Sequence, residues 1–313
     1  MNALLLLGRH KLELKEIPNP QTSEDEMVVE VQVSGIGGSE YLGYNNTGIR
    51  PLPNIMGHSI AGTLPNGKRV VIYPLLGCET CEYCQSGLAQ LCDSWKLIGV
   101  QLNGGFAQKV SVPKQSIFEI PDSISWEQSS FIEPFANSIN AWELSKAELN
   151  HSILIIGAGS LGLGLVACAS KFNHKNTTII EQSKPRKLAA LELGVKAIDK
   201  DFTGLFDIVF DTVGSKITRN LAIGFVKKNG QCVFLGFAEP LQELNFSVFI
   251  RKQFNFIGSF VYSRQQFENA IELSKLSNTN WVKNLTFDEV ETQLCNYLAD
   301  NFTVIKAVLR PNS

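Results

Sequence analysis

The sequence predicts an α/β fold in which a doubly wound parallel sheet is inserted into a second, β-rich domain. Three observations carry that prediction. From about residue 150, apolar strands alternate with helical stretches, the pattern of βαβ units and a parallel sheet. The first third differs. Its segments 2–7, 11–16, 27–34, 59–64 and 69–73 are short, β-branched or alternating, and broken by Gly, Pro and Asn. Third, the strand-like ILII runs straight into GAGSLGL, whose glycines Gly157, Gly159 and Gly162 have the spacing G-x-G-x-x-G.

The elements follow in order. MNALLLLGRH is apolar but short, and no basic residue precedes it, so it reads as a first strand rather than a secretory signal. With 313 residues the chain is long enough for about two domains. Twenty-eight basic residues against 30 acidic ones give a net charge of −2, which offers no field for nucleic acid or an anionic membrane. Beyond residue 150, strands are expected at 152–156, 177–181, near 197, 206–211, 231–236 and 254–260. Helices are expected at about 160–172, 185–193 and 216–228, the last stopped by Asn229-Gly230. Six strands suit a Rossmann sheet of order 3-2-1-4-5-6. A helix near 263–277 and a helix–strand tail complete the chain. Residues 152–170 carry no charge, nearly a bilayer span. The glycines that punctuate them fit a strand, a turn and a helix better, so no membrane association is expected.

The glycine turn predicts a dinucleotide. Gly157 permits the tight turn, Gly159 leaves the pyrophosphate unobstructed, and Gly162 lets helix and strand pack closely, with Leu161 inside the same turn. The helix opening there offers unpaired N–H groups and the positive end of its dipole. Glu181 lies 19 residues beyond Gly162, at the end of TTIIE, where an acid accepts hydrogen bonds from ribose hydroxyls. It would repel a 2′-phosphate by about 4 kcal/mol for charges ~4 Å apart at an effective dielectric of ~20, which favours NAD(H). Lys184, Arg186 and Lys187 follow; they either blunt that repulsion or form a solvated helix start.

Cysteine usage predicts a metal. Cys78, Cys81, Cys84 and Cys92 share one stretch, CETCEYCQSGLAQLC, with spacing C-x2-C-x2-C-x7-C. Four thiolates from one loop suit a closed tetrahedral zinc, which holds shape and does no chemistry. The isolated Cys168, Cys232 and Cys295 fall in apolar segments and read as core. Clustered and scattered thiols together suggest a reducing, cytoplasmic setting.

These motifs converge on a resemblance. The chain resembles the zinc-dependent alcohol dehydrogenases, or medium-chain dehydrogenase/reductases, and looks closest to the sorbitol and polyol branch. The resemblance runs through MNALLLLGRHKLELKEIPNP, VSGIGGSEYLGY, GHSIAG, the cysteine lobe, NGGFAQKVSVP, FEIPDSISWEQSSFIEP, GAGSLGL, FDTVGS and VIKAVLRP. It implies a GroES-like catalytic domain over 1–136 plus 263–313, with the zinc lobe at 77–93, and an inserted Rossmann domain over 137–262. It implies a small alcohol, polyol or carbonyl substrate, NAD(H), and a homodimer or homotetramer joined through the last Rossmann strand. The loop between Gly62 and Arg69 is trimmed to TLPNGK.

The resemblance also exposes departures. The family's first catalytic zinc ligand lies in a motif like GICGSD; here GIGGSE puts Gly37 where the cysteine would be. GHE reads GHS, keeping His58 and replacing the acid by Ser59. Glu133 of FIEP matches the polyol branch's third ligand. His58 and Glu133 thus remain as a residual site with two donors, where catalytic zinc normally takes three. The expectation is that no stoichiometric catalytic zinc binds. Ser39 matches the hydroxyl that relays the alcohol proton, or is a turn serine. Glu40 matches the acid that orients the ligand histidine. Lys306 matches a basic residue near the coenzyme pyrophosphate, or is a surface lysine. Two functional classes stay open: an oxidoreductase, including a zinc-independent quinone or enone reductase, and an NAD(H)-binding sensor or scaffold without catalysis.

Overall fold

Strand Ile153–Ile156 is buried at all four residues, as a parallel strand covered on both faces must be. It pairs in parallel with Thr177–Ile180 on one side and Phe206–Asp211 on the other. Val226–Phe234 and Asn255–Gly258 extend the sheet beyond Phe206–Asp211, and Lys196–Ala197 closes the opposite edge. The resulting strand order is 3-2-1-4-5-6. Leu154, Ile156, Val209, Phe206, Phe225 and Cys232 form one of its buried clusters. Each such side chain contributes about 1.5–3 kcal/mol on burial.

The computed structural model describes residues 1–298 and 304–312. The chain divides into two units, Met1–Glu133 with Ser263–Ser313, and Pro134–Tyr262. In the first unit the long strand Glu26–Ile36 is the organising element. It pairs antiparallel with Ser59–Thr63, with Lys109–Pro113 and with Lys306–Leu309. Its register sets Gly35 against Ser59 on one side and Val308 on the other. The strand therefore delivers three site residues to one place: Gly37 just past its end, His58 just before its neighbour, and Lys306 at the start of the returning tail. Buried Val29, Val31, Ile60, Val70, Ile72 and Val112 fill the core against this sheet.

Three expectations change. Helix Lys216–Phe225 ends earlier than the Asn229-Gly230 signal suggests, and a strand starts at once at Val226. Val226 is fully buried and pairs with Phe206, so burial outweighs helix continuation. Asn229, at φ 58°, then sits within an irregularity of that strand between the Phe206 and Ile208 pairings. Cys295 is exposed, not core, because its helix Phe287–Leu298 buries Val290 and Leu294 instead. Cys168 and Cys232 are buried. Lys306 is buried rather than on the surface, at 3 % exposure. Residues 152–170 form the strand, turn and helix of the Rossmann entry. Among the described residues, no helix is long and apolar enough to cross a membrane.

Candidate functional site

Three clusters account for the residues singled out above. The first is the glycine turn. Gly157 has φ 94°, a left-handed conformation, and a β-carbon there would lie 2.7 Å from Thr212 Oγ1 and Val213 Cγ2. A β-carbon on Gly162 would lie 1.9 Å from the Gly157 carbonyl oxygen, so helix Ser160–Lys171 can start here only with glycine at that position. Gly159 caps that helix, and a β-carbon there would approach nothing closer than Arg186 Nη1, at 4.0 Å. Space beside Gly159 is what an incoming phosphate needs. Leu161 contributes its carbonyl to Ser138 Oγ at 2.7 Å, which ties the turn to a neighbouring helix. Glu181 follows strand Thr177–Ile180, accepting from Ala158 N and Ser183 N, both at 2.7 Å. The carboxylate is thereby fixed beside the turn with further lone pairs to offer.

The second cluster is the lobe. The Sγ atoms of Cys78, Cys81, Cys84 and Cys92 all lie within 4.8 Å of one another. Bonds of ~2.3 Å in a tetrahedron put sulfurs about 3.8 Å apart, so small adjustments suffice for zinc. Backbone amides already point at the sulfurs: Cys81 N donates to Cys78 Sγ and Cys78 N to Cys92 Sγ, both at 3.4 Å. Thr80 Oγ1 donates to Cys78 Sγ at 3.5 Å. The Thr80 and Cys81 bonds favour the thiolate, lowering Cys78 to about 6. Cys84 is pushed the other way, to about 12, by burial and by the neighbouring thiols, so it is the convergence of the four sulfurs that fits a metal.

The third cluster surrounds His58. Its Nδ1 lies 2.5 Å from Glu40 Oε1 and 3.2 Å from Ser39 Oγ. Its Nε2 lies 3.3 Å from Glu133 Oε2. Glu40 is fully buried, and its other oxygen accepts from Gly37 N at 2.9 Å, capping helix Gly38–Asn45. Ser39 Oγ donates to the same oxygen at 3.3 Å. Burial alone would raise the Glu40 carboxyl, but His58, Arg50 and the Gly37 amide outweigh it and hold it well below the usual range. Burial alone would lower His58; Glu40 and Glu133 reverse that and raise it well above a free imidazole. A carboxylate oxygen thus faces each ring nitrogen, Glu40 Oε1 at Nδ1 and Glu133 Oε2 at Nε2.

Two family profiles match the chain. "Alcohol dehydrogenase GroES-like domain" matches residues 23–122, and "Zinc-binding dehydrogenase" matches residues 160–275. The chain belongs to the zinc-dependent alcohol dehydrogenase family. The sorbitol dehydrogenase of Bacillus subtilis (strain 168) is 28 % identical over 295 residues, 84 % of this chain and 83 % of that one. The crystal structure of galactitol-1-phosphate dehydrogenase from Escherichia coli is 25 % identical, covers 99 % of this chain and 100 % of its own, and has a TM-score of 0.89. At 23 % identity, an Escherichia coli protein described as a short chain alcohol dehydrogenase, complexed with NADH, has the same fold; it covers 99 % of each chain with a TM-score of 0.89.

A zinc-dependent dehydrogenase must find three protein donors for its catalytic metal. The spacing of His58 Nε2 and Glu133 Oε2 suits that task, since two donors on one zinc at ~2.0 Å sit about 3.3 Å apart. The number of donors does not suit it. Gly37 offers no side chain, although a β-carbon there would meet only Glu40 Oε2, at an ordinary 3.5 Å. Ser59 is buried and spends its hydroxyl on the Ser130 carbonyl at 3.1 Å. Among the described residues, the four lobe cysteines are the one group of three or more metal-binding side chains that converges. The residues present do not fit a three-ligand zinc at His58.

The structure also brings in two cations. Arg50 donates from Nη2 to the Ser39 carbonyl at 3.0 Å and faces Glu40. No sequence motif marks it. Lys306 sends its ammonium inward. A β-carbon on Gly35 would lie 2.9 Å from Lys306 Nζ and 3.0 Å from Ser59 Oγ, so the lysine tip and the serine flank the same bare stretch of backbone. Burial lowers Lys306, and the nearby charges that oppose this are Glu133 and Glu40.

Proposed function

We propose that the chain is an NAD(H)-dependent oxidoreductase acting on a small alcohol, polyol or carbonyl, with one structural zinc in the Cys78–Cys81–Cys84–Cys92 lobe and none at His58. The dinucleotide turn carries this reading. Its glycines are sterically required at Gly157 and Gly162, open at Gly159, and matched by a fixed acid at Glu181. NADH titrated against the chain should bind and quench protein fluorescence, and NADPH should bind more weakly. Metal analysis of protein purified without chelator should give one zinc per chain. Two would defeat the zinc-free reading.

Oxidation of an alcohol moves a hydride from carbon to the nicotinamide and releases the hydroxyl proton. Ser39 Oγ, within hydrogen-bond reach of His58 and Glu40, is the group proposed to pass that proton on. Oxyanion stabilisation then falls to His58, Ser39 and neighbouring charges, a loss of several kcal/mol relative to a metal if nothing compensates.

The bare corner at Gly37 favours a second reading, in which the chain binds NAD(H) as a sensor or scaffold and turns nothing over. Absorbance at the NADH band with a panel of polyols, aldehydes, ketones and quinones separates the two. Turnover of a quinone or enone alone would indicate a metal-independent reductase. We further propose a homodimer through the edge strand Asn255–Gly258, where Phe256 is 50 % exposed and stacks on Phe234. Sedimentation should return twice the chain mass, and Phe256→Glu should halve it. A cytoplasmic, reducing setting suits a chain whose seven cysteines are all unpaired.

A further inference from the structure

We propose that Arg50 is an anion-binding residue beside the His58 cluster, and that the substrate carries a carboxylate or a phosphate a few bonds from the hydroxyl it presents to Ser39. This rests on the oxidoreductase reading and narrows its substrate class.

Helix Gly38–Asn45 sets the geometry. Ser39, Leu42 and Gly43 stand at i, i+3 and i+4, so they share one face of the helix. Ser39 brings the hydroxyl that lies 3.2 Å from His58 Nδ1. Leu42 is 43 % exposed and offers nothing polar. Gly43 leaves a notch, and Arg50 fills it. A β-carbon on Gly43 would lie 2.4 Å from both Cζ and Nη1 of Arg50 and 2.8 Å from its Nε. Nη2 donates to the Ser39 carbonyl at 3.0 Å. The guanidinium is therefore held over the helix, one turn along from the relay hydroxyl, a separation of about 5–6 Å between β-carbon positions.

Held there, its donors are largely unspent. A guanidinium donates from every nitrogen. Among the described residues, this half-buried side chain makes one hydrogen bond, to the Ser39 carbonyl. Nε is closed off without an acceptor, which leaves the fork of Nη1 and Nη2 to meet a ligand. Glu40, the acid that faces Arg50, has both oxygens engaged elsewhere: Oε1 on His58 Nδ1, and Oε2 on Gly37 N and Ser39 Oγ. A planar cationic fork matches the paired oxygens of a carboxylate or phosphate. A neutral polyol needs donors and acceptors along its length, whereas this face supplies a hydroxyl, a leucine and a cation. The chemistry stays that of the proposed dehydrogenation. Hydride leaves the carbinol carbon for NAD⁺, the hydroxyl proton leaves through Ser39, and the anionic group is unchanged.

Dead-end binding tests this without turnover, because an alcohol and NADH cannot react with each other. The full chain, its lobe filled with zinc, is saturated with NADH and titrated calorimetrically with β-hydroxybutyrate against the matching butanediol, and with glycerol phosphate against glycerol. At least one anion should bind about ten-fold or more tighter than its neutral partner, and which one does so separates carboxylate from phosphate. Arg50→Gln should abolish that preference. Arg50→Lys should keep part of it, since an ammonium retains the charge and loses the fork. Gly43→Ala should erode it with no change of charge, by pushing the guanidinium out of its notch. Two results overturn the proposal: no preference for either anion in the parent, or a preference that survives both Arg50→Gln and Gly43→Ala. Bound NADH in each variant reports an intact fold, and if Arg50→Gln loses it, Gly43→Ala decides. A parent that binds no NADH would defeat the oxidoreductase reading itself, and the same titrations without coenzyme would still decide the role of Arg50.

Discussion

The cysteine lobe and the His58 cluster lie in one unit of one chain, and only the lobe has the donors for a metal. In the lobe, four soft donors converge and backbone amides are aimed at the sulfurs. At His58 two donors hold the right separation, but the third corner is a glycine and the nearby serine faces elsewhere. The difference shows that a donor's position and a donor's presence are separately encoded. Strand register and the Glu40 cap keep His58 in place without help from a metal, because Glu40 secures the helix N-terminus with one oxygen and the ring with the other. In the lobe the helix Glu82–Gln85 is one turn long and buries no residue, so beyond the pairing of Leu75–Leu76 with Lys96–Leu97 the proposed zinc would be its main tie.

That contrast sets the largest expected effect. Cys84→Ser should take zinc from one per chain to none and cost the first unit about 3 kcal/mol, roughly a 10 °C fall in melting temperature. His58→Ala should leave the zinc count unchanged. Loss of zinc from His58→Ala with retention in Cys84→Ser would invert the comparison. Next in size, Gly162→Ala puts a methyl 1.9 Å from a backbone oxygen that cannot yield. NADH affinity should drop about a hundredfold or more, with the lobe zinc intact. Glu181→Ala should be milder. It removes a carboxylate that also ties Ala158 and Ser183, and NAD over NADP discrimination should narrow about ten-fold, measured by paired titrations.

Much of this was legible from residue order. The Rossmann strand order follows from apolar runs alternating with helices, and the coenzyme turn from three glycines and one acid, because local sterics decide both. The lobe was legible because its ligands are near neighbours in sequence. Arg50 was not legible as a site member, and Lys306 was legible as a candidate beside the coenzyme but not as a neighbour of Ser59. Lys306 meets Ser59 only through strand register across Gly35, and no local pattern encodes that. The helix stop at Asn229-Gly230 misled for a related reason: Val226 gains more from burial in the sheet than from another helical turn. Cys295 misled because helical phase, not the apolarity of its segment, decides which side faces out.

The smallest test compares Lys306 with a lysine that is paired. In the other unit, Lys227 Nζ lies 3.0 and 2.9 Å from the two oxygens of Asp207, which also accepts from Ser152 N at 2.8 Å and Ser152 Oγ at 2.7 Å. Burial pushes Asp207 up, but the bonds from Lys227 and Ser152 outweigh it and hold it at about 2, against 3.8 for a free side chain. Because the folded value is the lower one, the stabilisation is complete above the unfolded value and is lost as pH falls through about 2. Asp207→Asn should therefore lower the melting temperature by only about 2 to 4 °C at pH 7, since both partners are partly exposed, and the gap should close near pH 2. Lys306→Met should behave in the opposite sense at neutral pH, raising the melting temperature or leaving it unchanged, because the charge it removes has no close partner to lose. If both substitutions destabilised by the same few degrees with the same loss in acid, Lys306 would be a structural ion-pair lysine like Lys227, with Glu133 and Glu40 as the charges it answers.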